Sequence, residues 1–146
     1  MAERTVLFVC VENACRSLMA EAMFNADPPP GWRATSAGTR PASAPNVRTA
    51  AMLEEVDLRL PDHRPRLVTT AEMEGAALRV SMGCLDNDSC PARLKSLPVR
   101  DWELPDPAPL DDAGFRAVRD RLSQRVAALR RELSESPSAH PRGPAA

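Results

Sequence analysis

Residues 5–25 read TVLFVCVENACRSLMAEAMFN, and this stretch decides the fold. Thr5–Cys10 is an unbroken apolar run rich in β-branched residues, the pattern of a parallel strand buried on both faces. Leu18–Asn25 puts Leu18, Met19, Ala22 and Met23 at helical spacing on one face. Cys10 to Arg16 is the tight connection between them, with Ser17 directly behind. A thiol therefore stands where a strand ends, and the helix that follows aims its N-terminus at that thiol. The first turn of a helix carries unpaired N–H groups and partial positive charge, so it attracts anions. A thiol in such a place gives up its proton more readily, and the thiolate is the nucleophile. Arg16 adds a guanidinium fork that fits a tetrahedral oxyanion.

Outward from this stretch, strands and helices alternate. Asp27–Gly31 (DPPPG) is a connection, because three prolines cannot continue a helix. Trp32–Ala37 reads as a second strand. Asn46 reads as the N-cap of a helix running to about Val56, with Val47, Ala50, Ala51 and Leu53 inward. Pro65–Gly75 holds one short helix capped by Thr69 or Thr70. Ala77–Met82 is a third strand and Lys95–Val99 a short fourth. Gly83–Cys90 is turn-rich, polar and flexible, and Asp101–Pro109 is a Pro-stiffened loop. Asp112–Leu133 carries Phe115, Val118, Leu122, Val126, Leu129 and Leu133 in a single apolar stripe, the mark of an amphipathic helix. The expected architecture is α/β, a four-stranded parallel sheet with helices on both faces. Its functional end lies at the strand C-termini, where Cys10, Cys84 and the Asp101–Pro109 loop all fall.

The chain of 146 residues is long enough for one domain with a full core, expected over 1–133. Residues 134–146 lack apolar content and read as a disordered tail; His140 within it has no assignable role. A net charge of −1 supplies no basic field for nucleic acid or a membrane surface. No apolar run approaches the roughly 20 residues of a membrane span. The N-terminus runs almost directly into the first strand, leaving no room for a signal peptide, so a cytoplasmic location is expected. In that compartment Cys10, Cys15, Cys84 and Cys90 are expected to be catalytic or redox-active rather than structural bridges. Their Cys-x4-Cys and Cys-x5-Cys spacings, with no well-placed His, do not suit zinc, and neither a metal nor a cofactor is expected.

The spacing Cys10-x5-Arg16-Ser17 behind a strand resembles the low-molecular-weight protein tyrosine phosphatase family. The local wording VLFVC-x-x-N-x-C-R-S-x-M-A-E-A is closer to the arsenate reductases that share its fold. The resemblance spans about residues 4–133 and implies arsenate reduction by a three-cysteine relay recharged by thioredoxin. Cys10 is then the nucleophile, Cys84 the second thiol and Cys90 the third. The oxyanion, arsenate with phosphate or sulfate as mimics, is held by the loop of Cys10, Val11, Glu12, Asn13, Ala14, Cys15 and Arg16. The resemblance also makes Asp106, in Asp106-Pro107, the acid that protonates the departing oxygen. Chemistry supports the relay: reducing arsenate takes two electrons, which thiols supply by becoming a disulfide. A phosphatase has no use for Cys84 and Cys90.

Ser17 is placed to donate to the Cys10 sulfur, and Asn13 to tie the loop to its surroundings with help from Ser36. Cys15 reads as a small core hydrophobe. Glu12, where many relatives have Gly, is expected to point outward. Some relatives bind potassium through hydroxyl and carboxylate groups near Asp62-His63; Arg64 and Arg66 there argue against the ion. Two other activities compete. A phosphatase acting on phosphotyrosine or small phosphoesters shares the loop, but usually shows an aromatic residue where this chain has Ala108. A non-enzymatic redox sensor has no need of Arg16 and Ser17.

Overall fold

The computed structural model describes residues 3–85 and 88–135. The chain begins with β1 (Arg4–Cys10), α1 (Arg16–Ala26) and β2 (Trp32–Gly38). Next come α2 (Thr49–Glu54), α3 (Thr70–Gly75), β3 (Leu78–Ser81), α4 (Ala92–Ser96), β4 (Arg100–Asp101) and α5 (Asp112–Glu135). All pairings are parallel, in the order β2-β1-β3-β4. β1 is central, and its burial deepens toward Cys10, so the strand delivers its last residue to a closed site.

Side chains alternate across β1 and build two cores. Val6, Phe8 and Cys10 pack with Met19, Met23 and Phe24 of α1 and with the Phe115, Leu122, Val126, Leu129 and Leu133 stripe of α5. Leu7 and Val9 pack on the other face with Met73 of α3, Leu94 of α4, and Cys84 and Cys90. Helices thus cover both faces, as expected. The α5 stripe buries every residue assigned to it. Thr69 caps α3 with Glu72 in a reciprocal capping box. Among the described residues, no helix is long and apolar enough to cross a membrane.

Three expectations are corrected. The fourth strand is Arg100–Asp101, not Lys95–Val99; Ala92–Ser96 is helix, started by Pro91 and anchored by buried Leu94. Pro98 has no N–H to give a ladder, and pairing with β3 starts only at Arg100. α2 starts two residues later than expected. Asn46 accepts from Arg48 N (2.9 Å) in a turn ahead of the helix, which leaves Val47 almost fully exposed and turns Thr49, Met52 and Leu53 inward. α5 continues to Glu135, two residues beyond the expected end. Of the expected tail, 136–146, including His140, lies outside the described residues, as do Asp86 and Asn87 of the Gly83–Cys90 segment.

Candidate active site

The connection after β1 folds by giving away its carbonyls. Cys10 O accepts from Thr39 N (3.1 Å), Val11 O from Arg40 N (2.8 Å) and Glu12 O from Ala42 N (3.0 Å). Ala14 O accepts both Asn46 N (3.1 Å) and the Thr49 hydroxyl (2.8 Å). Across a trans peptide the next N–H points the opposite way. The amides of Val11, Glu12, Asn13 and Cys15 therefore turn away from residues 39–49, and that of Asn13 reaches the Cys10 sulfur above which the hollow opens. That hollow has a volume of about 200 Å³ and is lined by Cys10, Val11, Glu12, Ala14, Cys15, Arg16 and Asp106. The segment 39–49 that turns the loop inside out has no motif of its own, and the sequence reading passed over it. Gly38 was missed as well: a Cβ there would stand 2.6 Å from Val11 O.

Asn13 is the keystone. It sits at φ 53, the left-handed region that asparagine tolerates best among non-glycine residues, and it is fully buried. Its backbone N–H donates to the Cys10 sulfur (3.2 Å). Its side-chain nitrogen donates to the hydroxyls of Ser17 (2.7 Å) and Ser36 (3.0 Å), and its Oδ1 accepts from Arg66 N (3.1 Å). Because Asn13 occupies a Ser17 lone pair, the Ser17 hydroxyl proton is free for the Cys10 sulfur 2.9 Å away. Two donors thus converge on that sulfur. Glu12 is exposed and also lines the hollow.

Arg16 opens α1. Its NH1 donates to Met82 O (2.7 Å) after β3 and to Leu104 O (2.8 Å) before Asp106, leaving the rest of the fork for an oxyanion. Asp106 lines the same hollow and accepts from Ala108 N (3.0 Å). The sequence thus put Cys10, Arg16, Ser17, Asn13 and Asp106 in one site, and the structure brings them together.

The other cysteines are buried and unbridged. Cys15 packs in the core; burial pushes its thiol up to about 12, against a hydrogen bond with the Thr49 side chain. Cys84 and Cys90 lie within hydrogen-bonding reach of each other, in the core on the opposite face of the sheet from Cys10. Burial drives the Cys84 thiol up to about 11, against the Ser81 hydroxyl 3.2 Å away. Burial also raises the Cys90 thiol. The Cys84 sulfur lies 3.9 Å from Val9 O, the residue before Cys10. Both residues are buried, although the Gly83–Cys90 segment read as polar and flexible.

The Ser36 hydroxyl donates to Glu21 Oε1 (2.6 Å), which also meets His63 Nε2 (2.8 Å). Among the described residues, no three His, Cys, Asp or Glu side chains gather as a metal site.

Residues 5–139 match the family model for low molecular weight phosphotyrosine protein phosphatase. A protein named arsenate reductase 1 from Staphylococcus haemolyticus is 28% identical over 91% of this chain and 99% of its own. A solved structure described as an arsenate reductase in the phosphate binding state superposes with a TM-score of 0.78, at 28% identity over 90% of this chain and 99% of that one. The thioredoxin-dependent arsenate reductase of Corynebacterium glutamicum superposes with a TM-score of 0.76, at 27% identity over 92% of this chain and 64% of that one.

Proposed function

We propose, from the premise that this chain belongs to the low molecular weight phosphotyrosine protein phosphatase family, that it is an arsenate reductase working through Cys10, Cys84 and Cys90. One observation carries the reading: an oxyanion loop closed on Cys10 has a buried, unbridged thiol pair packed against the same strand. The small hollow has no aromatic residue in its lining, which fits an inorganic oxyanion better than a phenol ester.

The steps balance as follows. The Cys10 thiolate attacks As(V); an S–As bond forms, an As–O bond breaks, and the departing oxygen takes a proton from Asp106 and leaves as water. Cys84, losing its proton to solvent as the segment leaves the core, then attacks the Cys10 sulfur as a thiolate. An S–S bond forms, the S–As pair stays on arsenic, and As(V) leaves as As(III) in arsenite. The Cys90 thiolate attacks Cys84, returning Cys10 as thiolate and leaving a Cys84–Cys90 disulfide. A dithiol reductant, thioredoxin on the likeness to its relatives, reduces that bond. Because Cys84 rests on the far face of the sheet from Cys10, the second step requires the segment after β3 to move around the end of β1.

Phosphate fits the same loop, so weak phosphatase activity accompanies the reductase. The deciding experiment follows NADPH consumption with thioredoxin, thioredoxin reductase and arsenate. Wild type is expected to turn over and Cys84→Ser to stop after one adduct. Phosphate-ester hydrolysis surviving in Cys84→Ser, with no arsenate-dependent consumption in either protein, overturns the reductase in favour of the phosphatase.

A further inference from the structure

We propose that Arg48 is a positioning residue for Asp106, holding the acid loop at a fixed reach from Cys10. The proposal rests on the reading of Asp106 as the acid. The loop Leu104–Leu110 contains Pro105, Pro107 and Pro109, which have no N–H to give. It makes few bonds of its own: Ala108 N to Asp106 Oδ1 (3.0 Å) and Leu110 N to Pro107 O (2.9 Å). Its carbonyls are gripped from outside by two arginines, one on each side of Asp106. Arg16 donates to Leu104 O at 2.8 Å. Arg48 NH2 donates to Ala108 O at 3.0 Å and lies 3.4 Å from Pro107 O.

Arg48 is itself held. Its NH1 donates to Asp112 Oδ1 (3.0 Å) at the start of α5, and its guanidinium lies 4.7 Å over the ring of fully buried Phe115. The flanking residues grip the other half of the site. Asn46 N and the Thr49 hydroxyl both end on Ala14 O of the oxyanion loop, and Arg48 N donates to Asn46 Oδ1. Residues 46–49 therefore span from the nucleophile's loop to the acid's loop. A lysine gathers its donors on one nitrogen and lacks the planar fork that here meets Asp112 and the loop through separate nitrogens.

The test is a single turnover: reduced protein mixed with arsenate, thiol loss followed with time, and phosphate measured as a competitive inhibitor. Asp106→Asn is expected to slow the reaction by about 100-fold, the scale of a lost general acid. Arg48→Met is expected to slow it by about tenfold through a displaced acid, with the phosphate inhibition constant unchanged within about twofold. The double variant is expected to match Asp106→Asn alone, because a displaced acid that is already absent costs nothing more. Independent, multiplying effects overturn the proposal, as does a phosphate constant that rises as far as the rate falls. Should Arg48→Met not fold, Asp112→Asn, which loosens Arg48 while keeping it, is expected to slow turnover a few-fold and to vanish in the Asp106→Asn background; additivity there also overturns it. Asp106→Asn at the wild-type rate defeats the acid assignment and the proposal with it. A slow Asp106→Asn beside a full-rate Arg48→Met defeats the Arg48 proposal alone.

Discussion

The hydroxyls of Thr39 and Ser89 share a hydrogen bond of 2.6 Å. Thr39 N also binds Cys10 O, so one residue joins the oxyanion loop to the segment that carries Cys90. A neutral hydrogen bond contributes about 1 kcal/mol, or roughly fivefold in an opening equilibrium. Thr39→Val is therefore expected to raise the alkylation rate of Cys90 by about fivefold, read residue by residue by mass spectrometry. An unchanged Cys90 rate defeats the idea that this bond restrains the segment.

Asn13 combines a left-handed backbone with three side-chain hydrogen bonds, to Ser17, Ser36 and Arg66 N. Asn13→Ala loses the bonds and keeps an unfavourable φ, a cost of about 3 kcal/mol or more in urea unfolding. Asn13→Gly loses the same bonds but relaxes the φ. It is expected to unfold about 1 kcal/mol higher than Asn13→Ala, the reverse of the ordinary order. Equal stabilities mean that φ is not a constraint here.

Gly38 leaves no room for a methyl group beside Val11 O at 2.6 Å, and Asn13 crowds the same point. Gly38→Ala forces the oxyanion loop to shift, with an overpacking cost of about 1–3 kcal/mol. Phosphate affinity, measured by calorimetry, is expected to fall by tenfold or more. Undiminished affinity shows that the loop absorbs the methyl group.

Cys15 and Cys84 have folded-state pKa values of about 12 and about 11, against an ordinary value of 9.0. Raised values mean that the folded protein holds these protons longer than the unfolded chain does. Stability is thus unaffected below pH 9 and falls as pH rises toward 11–12, because the unfolded thiols ionise first. At pH 10.5 the loss is on the order of 2 kcal/mol for each cysteine. Cys15→Ala is expected to remove its share of the difference between pH 8 and pH 10.5 in urea denaturation. A wild-type pH dependence in that variant places the loss elsewhere.

The strand, loop and helix over residues 5–25 were legible because burial, turn and helical spacing all agree there. The α5 stripe was legible for the same reason, and the Thr69 cap from its residue type and the Glu72 three positions on. The short elements were not. Lys95–Val99 has the composition of a strand, but a single buried leucine and two prolines make it the end of a helix and a connection to β4. Asn46 looks like a cap and is one, but of a turn, which shifts the inward face of α2 away from Val47. Cys10, Arg16, Ser17 and the Asp101–Pro109 loop could be assembled from chain order and a parallel topology, and the family resemblance singled out Asp106 within that loop. The grip of residues 39–49 could not, since it uses backbone N–H groups, which every sequence has. Nor could the side of the sheet taken by Cys84, which is set by a turn at Gly83 with φ 88.

That placement turns the sheet into a bulkhead. Cys10 ends β1 facing α1 and α5, and the paired sulfurs sit behind Leu7 and Val9 on the other side. On the proposed relay, electrons are loaded through one compartment and spent in another. Reducing power is thus stored behind the wall until the segment after β3 swings past the end of β1.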